Sequence, residues 1–155
     1  MLFGGSVFGV FSGFYYWTPK IWGRMLDEGL GKVHFWLMLI GFNLTFFPMH
    51  IVGLTGMPRR IFTYASGQGW DTMNLLATIG AFLIASSIMV FLINFFRSMK
   101  SGEIATDNPW GGSTLEWATS SPPPPYNFKH IPIITGRDPL WADNPPNGKA
   151  KSETH

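Results

Sequence analysis

The sequence predicts an all-α membrane protein with three transmembrane helices and an extended, proline-rich C-terminal tail. Only 13% of its 155 residues are charged, which is about half the fraction typical of a soluble domain. None of the 11 basic and nine acidic residues lies in the stretches 1–19, 33–56 or 73–96, so these stretches are candidate spans. Nine of the 12 prolines lie beyond residue 100. We therefore predict a transmembrane region over residues 1–100 and an inner-side tail over 101–155.

Composition excludes several classes of function. The chain has no cysteine, which removes disulfides, thiolate metal sites and cysteine nucleophiles. Its net charge of +2 comes from scattered basic residues, not from the clustered stripe of a nucleic-acid-binding surface. No phosphate-binding loop, Ser/His/Asp triad or zinc-ligand set is present, and the spans contain no charged residue for a proton relay. The chain by itself therefore lacks a complete active site.

The first span is short and carries a face of small residues. Residues 1–17 make about 25 Å of helix, less than the roughly 30 Å of a hydrocarbon core. No basic residue precedes them, so we expect no signal peptide; we expect Met1 to replace an interior residue or to mark an artificial start. Gly5, Gly9 and Gly13 recur every four residues, which permits close approach of a helix, the commoner case, or of a flat cofactor.

The second and third spans are longer. Val33–Gly56 contains His34, Pro48 and His50, and because polar groups are costly in lipid, this helix should pack against others. Pro48 should kink it. The two histidines are about 24 Å apart along a helix and cannot bind one ion, so we expect each to be a hydrogen-bonded interfacial residue. Met73–Phe96 makes about 36 Å of helix and can span with some tilt.

Basic residues predict the orientation. The positive-inside rule places the more basic connections on the cytoplasmic or matrix side, and five basic residues mark that side: Lys20, Arg24, Lys32, Arg97 and Lys100. Asp27 and Glu28 lie in the first connection, between Arg24 and Lys32. They are predicted to form a solvated acidic pair in a loop and no acid–base dyad.

The opposite connection carries the sharpest local feature, Gly56-Met57-Pro58-Arg59-Arg60. Two guanidinium groups lie on the side where the rule disfavours positive charge, so we expect an anion to compensate them. Guanidinium forks bind carboxylate or phosphate bidentately. From chemistry alone, lipid phosphate at the interface is favoured over a bound ligand.

The tail is predicted to dock in part. Thr106–Ile134 contains apolar anchors for a neighbouring surface, namely Trp110, Leu115, Trp117, Tyr126 and Phe128. Pro122–Pro125 favours an extended polyproline conformation. Asp143–His155 is predicted to be a polar, disordered end.

Several ordered segments resemble the end of subunit I of the haem-copper oxidases, the family of cytochrome c oxidase and its quinol-oxidase relatives. Three of them are Lys32–Trp36, Asn43–His50 and Gly56–Arg60. The first span, Phe8–Lys20, resembles the tenth helix of that subunit, and Thr114–Pro124 resembles the inner-side segment of its bacterial members. The resemblance covers the chain from its start to about residue 134.

This resemblance implies that the spans are helices ten, eleven and twelve of a twelve-helix bundle. It implies that Arg59 and Arg60 bind haem propionates on the outer side, which replaces lipid phosphate as the expected anion. The axial ligands of both haems and the copper ligands would lie upstream of Met1, so no catalytic residue or metal ligand is expected in this chain. The implied function is that of a terminal oxidase that reduces oxygen to water and pumps protons, with this fragment inactive alone.

The implied partners are the rest of subunit I, subunits II and III, cytochrome c as electron donor, and membrane lipid. Ile61–Trp70 and the Pro122–Pro125 tail are more typical of prokaryotic members, which favours a bacterial cytoplasmic membrane over a mitochondrial inner membrane. Three alternatives stay open: a quinol oxidase subunit I fragment, a non-catalytic fission product that completes an oxidase, and an unrelated three-helix transporter fragment or interaction protein. An upstream reading frame that encodes His-Phe-His would indicate truncation, and a distant separate gene would indicate fission.

Overall fold

The structure is a computed structural model that describes residues 2–128, 131–134 and 136–140. These residues contain helices and no strand, apart from one isolated bridge between Arg24 and Ile104, so the helical prediction is confirmed for them. The three long helices are α1 (Phe8–Trp22), α2 (Glu28–Leu54) and α3 (Asp71–Ser101). The chain divides into two compact units: the hairpin unit, Asp27–Arg97, and the clamp unit, which comprises the described residues of 1–26 and 98–140.

Helices α2 and α3 are long and apolar enough to cross a membrane, with 27 and 31 residues. Helix α1 has 15 residues and follows a π-helical segment, Phe3–Val7, so the third predicted span stays a prediction. Helix α1 ends where Gly23 adopts φ +70° and donates its N–H to the Pro19 carbonyl at 2.9 Å. Glycine accepts this left-handed conformation without a Cβ clash, which is a common way to end a helix.

The start of α2 corrects one expectation from the sequence. Asp27 is the N-cap residue, and its Oδ1 accepts a hydrogen bond from the Leu30 N–H at 2.8 Å. Glu28 is the first helical residue and forms an exposed ion pair with Lys32 at 2.8 Å. The acidic pair is therefore not a solvated loop. A carboxylate at a helix start accepts a hydrogen bond from one of the free N–H groups, and its negative charge interacts favourably with the positive end of the helix dipole. Helix α2 then continues unbroken through Pro48.

The hairpin unit is held by one antiparallel seam. Buried positions alternate at spacings of three and four in both helices, the repeat of left-handed coiled-coil packing; they are His34, Met38, Gly41, Thr45, Pro48 and Val52 in α2, and Ala77, Gly80, Ile84, Ser87, Phe91 and Asn94 in α3. The pairing is antiparallel, since early α2 meets late α3: the rings of His34 and Phe91 lie 5.4 Å apart, and Ser87 Oγ lies 3.6 Å from Met38 Sδ.

The clamp unit docks part of the tail on the C-terminal half of α1. Trp117 is 2% exposed and lies in a 3₁₀ helix, Leu115–Ala118. Its Nε1 donates to the Tyr16 hydroxyl at 3.0 Å, and Trp110 Nε1 donates to the Tyr16 carbonyl at 2.9 Å. Docking by these two tryptophans is confirmed. Tyr126 is 59% exposed and is not a docking anchor in the described structure, and Asp143–His155 lies outside the described residues.

Candidate functional site: the outer arginine turn

The end of α2 shapes the connection that carries the arginine pair. Gly56 adopts φ +97°, and its N–H and that of Met57 donate to the carbonyls of Gly53 and Val52, each at 3.2 Å. This pair of bonds, with a glycine in positive φ, is the Schellman ending of a helix. The side-chain amide of Asn74, at the start of α3, contacts Met57 Sδ at 3.8 Å. The two ends of the connection therefore lie together.

Arg59 and Arg60 occupy a turn directly after this helix end, and both side chains are exposed. Arg60 has φ +63°, a conformation that is uncommon for a residue with a Cβ and that recurs at ligand-binding turns. No ion pair or hydrogen bond to either guanidinium is found among the described residues. The two forks therefore offer their N–H donors to an anion from outside this part of the chain.

The two histidines of α2, which the sequence does not assign to a site, lie in different surroundings. His34 is buried against Phe91 in the hairpin seam, whereas His50 is exposed and its Nδ1 lies 2.6 Å from the Phe46 carbonyl. The hydrogen-bonded state expected of His50 is confirmed. No cluster of three or more His, Cys, Asp or Glu that could hold a metal ion occurs among the described residues.

The small-residue face of α1 is open in the clamp unit. A Cβ added at Gly5 or Gly9 would meet nothing within 4 Å, and one at Gly13 would meet the ring of Trp17. The close helix approach that the sequence expected there is found in the hairpin unit instead, at Gly41 and Gly80. A Cβ on Gly80 would lie 2.5 Å from the Thr45 backbone nitrogen.

Lys20 is the residue that sequence reasoning missed. The charge pattern assigns it only to the inner side of the membrane, yet it is 7% exposed and its ammonium donates hydrogen bonds to tail carbonyls. Burial lowers the pKa of Lys20 below its usual value, while the nearby charges of Asp107 and Glu116 act in the opposite direction. The available signal was weak: Lys20 follows Pro19 at the end of the first apolar run and is the first charge in the chain.

Comparisons with known proteins identify the family of the chain. The family model described as Cytochrome C and Quinol oxidase polypeptide I matches residues 1–83. Cytochrome c oxidase subunit 1 of Bacillus sp. (strain PS3) is 53% identical over 144 residues, which are 92% of this chain and 23% of that protein. The subunit 1 of Thermostichus vulcanus is 56% identical over 135 residues, 87% of this chain and 24% of that protein.

A third relative, cytochrome c oxidase subunit 1 of Corynebacterium diphtheriae, is 49% identical over 142 residues, 90% of this chain and 25% of that protein. The chain thus spans about a quarter of the length of the curated relatives it matches. The family match covers more than half of the residues and includes the arginine turn. The chain therefore belongs to the family of subunit I polypeptides of the cytochrome c and quinol oxidases.

Proposed function

We propose that this chain forms the C-terminal part of the catalytic subunit of cytochrome c oxidase and contributes its last three membrane helices. The complete enzyme would reduce oxygen to water and pump protons, with cytochrome c as the electron donor. The observation that carries this proposal is the continuous match of 87% to 92% of the chain to three subunits of that name. The chain alone would be inactive, because it covers about a quarter of such a subunit.

Within the complete subunit, we assign Arg59 and Arg60 to the propionates of haem on the outer side of the membrane. One observation of the described structure and one chemical argument support this fit. Both guanidinium groups are exposed on a turn that the Schellman ending of α2 orients. Planar guanidinium forks also match carboxylates in shape and charge. When bound, the two haems and copper supply electron transfer and oxygen reduction; the arginines hold the acidic groups ionised and in place.

The partners follow from the same proposal. The rest of subunit I would supply the haem and copper ligands, and subunits II and III would complete the oxidase. Helices α2 and α3, which have the length to cross a membrane, would lie in a bacterial cytoplasmic membrane, since the matched proteins come from bacteria. Two alternatives remain within the family: a quinol oxidase subunit, because the family description covers both donors, and a separate fission-product subunit.

The test is a redox titration of the complete subunit that contains this segment. Removing one guanidinium beside a haem disfavours the reduced state, which is the more negative one. With an interaction of about 1 kcal/mol in a screened site, Arg59→Gln or Arg60→Gln should lower one haem midpoint potential by on the order of 40 mV. Arg97→Gln, which removes an exposed arginine of α3, is the matched control and should leave the potential unchanged.

The contrary result is equally clear. If both turn variants titrate within a few millivolts of the unaltered enzyme, as the Arg97 variant should, the arginines do not bind the propionates. The subunit assignment would then stand on the family match without this site. If the complete subunit with the unaltered segment binds no haem at all, the functional proposal itself is wrong.

A further inference from the structure

Lys20 is a charged side chain enclosed by the segment that follows α3. Its Nζ lies 2.9 Å from the Asp107 carbonyl oxygen, 2.5 Å from that of Thr119 and 3.4 Å from that of Ser120. The Ser121 hydroxyl oxygen lies 3.2 Å away. Three N–H donors thus face four oxygens, three of which are carbonyl oxygens that can only accept hydrogen bonds. This is the donor and acceptor set of a cation in an oxygen-lined cage.

Neighbouring groups attract the ammonium and offset part of the cost of burying it. The ring centroid of Trp117 lies 5.4 Å from Nζ, within the range of cation–π attraction. The Asp107 carboxylate accepts a hydrogen bond from the Ser121 N–H at 3.1 Å, so it joins the two ends of the cage. Pro19, which precedes the lysine, is fully buried. The cage is therefore closed by elements that are far apart in sequence.

A second set of hydrogen bonds joins residues 102–105, which precede the cage in sequence, to residues 23–25. The Met25 N–H donates to the Glu103 carbonyl at 2.8 Å, and the Ala105 N–H donates to the Gly23 carbonyl at 3.0 Å. Arg24 Nη1 donates to the Gly102 carbonyl at 2.7 Å. These bonds attach residues 102–105 to the chain that leaves α1. We name residues 102–121 the strap, since both of its ends are attached to the same end of α1.

We propose that Lys20 is the latch of this strap: its ammonium occupies the carbonyl cage and holds residues 107–121 on the C-terminal end of α1. The rest of the strap has few ways to stay docked without it. Residues 107–121 form no backbone hydrogen bond to α1 that the described structure shows. Besides the cage, they contact α1 through the hydrogen bonds of Trp110 and Trp117 to Tyr16, which we expect to weaken once the cage opens. Carbonyls turned toward an empty cage would lose their hydrogen bonds, so the segment should leave as one piece.

The latch also has a mechanical consequence for α1. The lysine is near the end of the helix, and its ammonium is hydrogen-bonded to the segment that follows α3. Because an ammonium cannot move into hydrocarbon without losing these bonds, the strap should prevent α1 from sliding along its axis toward the membrane. Lys20 is thus a positioning residue, and it needs no ligand to act.

Hydrogen exchange of the full chain in lipid nanodiscs, read by mass spectrometry, tests the latch. Lys20→Met keeps the length of the side chain and removes its charge. It should raise exchange in peptides from 106–121 at least tenfold while peptides from α2 stay protected. Lys100→Met removes an exposed lysine of the same unit and should change exchange less than twofold in either region.

Chemical rescue separates charge from volume. In Lys20→Ala, n-propylammonium can fill the deleted stem and restore the charge, whereas n-propanol fills a similar volume without charge. Propylammonium should restore protection of 106–121 with a saturable dependence on concentration, and propanol should not. Protection in Lys20→Met within twofold of the unaltered chain overturns the proposal, as does equal rescue by both compounds. Equal loss of protection in 106–121 and in α2 also overturns it, because a latch must release the strap alone.

Discussion

At the scale of single residues, Gly41 and Gly80 set how closely α2 and α3 pack. A Cβ on Gly80 would lie 2.5 Å from both the backbone nitrogen and the hydroxyl oxygen of Thr45, and the backbone on that side cannot yield as a flexible side chain would. Gly80→Ala should therefore destabilise the hairpin unit by about 1–3 kcal/mol, the usual range for overpacking. Denaturant titration in mild detergent, followed by the far-ultraviolet helix signal, would measure the loss.

The matched control for Gly80 is Gly53, a glycine of α2 whose added Cβ would meet nothing within 4 Å. Alanine is the better helix former by up to about 1 kcal/mol, so Gly53→Ala should leave stability unchanged or raise it slightly. A loss of equal size in both variants would show that helix propensity, and not the contact with Thr45, explains the result.

Asn94 is a polar residue with no exposed surface whose amide joins the two helices of the hairpin. Its Nδ2 donates to the Asp27 carbonyl and its Oδ1 accepts from the Asp27 N–H, both at 3.0 Å. Leucine has a similar size but leaves both main-chain groups without these partners. Asn94→Leu should therefore lower the free energy of unfolding by about 1–3 kcal/mol, measured by the same titration.

Asn43 provides the comparison for Asn94. Its amide donates to the Leu39 carbonyl of its own helix at 2.8 Å, and the side chain is exposed. Since no second helix depends on it in the described hairpin, Asn43→Leu should change stability by less than half as much. If the two leucine variants were equally unstable, the bidentate contact of Asn94 would not be what fixes the register of the seam.

At the scale of elements, the start of α2 depends on one cap. The Asp27 carboxylate accepts the Leu30 N–H, and removing such a cap commonly costs about 1 kcal/mol. Asp27→Ala should show that loss, and Asp27→Asn, which keeps an acceptor oxygen, should recover most of it. Glu28→Ala removes an exposed ion pair with Lys32 and should have a smaller effect. Thermal melts of the three variants, followed by circular dichroism, would rank them.

The long apolar stretches were the most predictable elements. The uncharged stretches 33–56 and 73–96 lie within two residues of, or inside, α2 and α3 as found, because exclusion of charge from lipid is a property of each segment by itself. Helix ends were less predictable. Asp27 begins a helix because of bonds that its side chain forms three residues later, and a pattern of charges does not reveal that choice between cap and loop.

Contacts between distant segments were the least predictable. The spacing of Gly5, Gly9 and Gly13 indicated a packing face, but Gly41 and Gly80 make the close approach, and neither belongs to a glycine repeat. The burial of Lys20 depends on carbonyl oxygens about a hundred residues later in the chain. Main-chain carbonyls carry no sequence signal, so the sequence could not identify this cage. The arginine turn was located from sequence by its charge, and its role stays a prediction.

At the scale of the whole molecule, His34 and His50 cannot be the two axial ligands of one haem. His34 and His50 both lie in α2, where 16 residues separate them by about 24 Å, and axial ligands must approach one iron from opposite faces of the same ring. His34 is moreover buried against Phe91. The purified chain titrated with haem should therefore give no stoichiometric low-spin, bis-histidine absorption spectrum in which His34 and His50 are the two ligands. Any sub-stoichiometric absorption should persist in His34→Ala and in His50→Ala, since neither residue would be its source.

The positive arm of this experiment is co-production of the chain with the remaining part of a related subunit. If the missing ligands lie in that portion, a low-spin spectrum should form in the assembled protein and should survive His34→Ala and His50→Ala, whereas Arg59→Gln should shift its midpoint potential. A stoichiometric low-spin spectrum from the chain alone, abolished by either histidine variant, would contradict both the geometry of α2 and the assignment of this chain as the propionate-binding part of a larger haem protein.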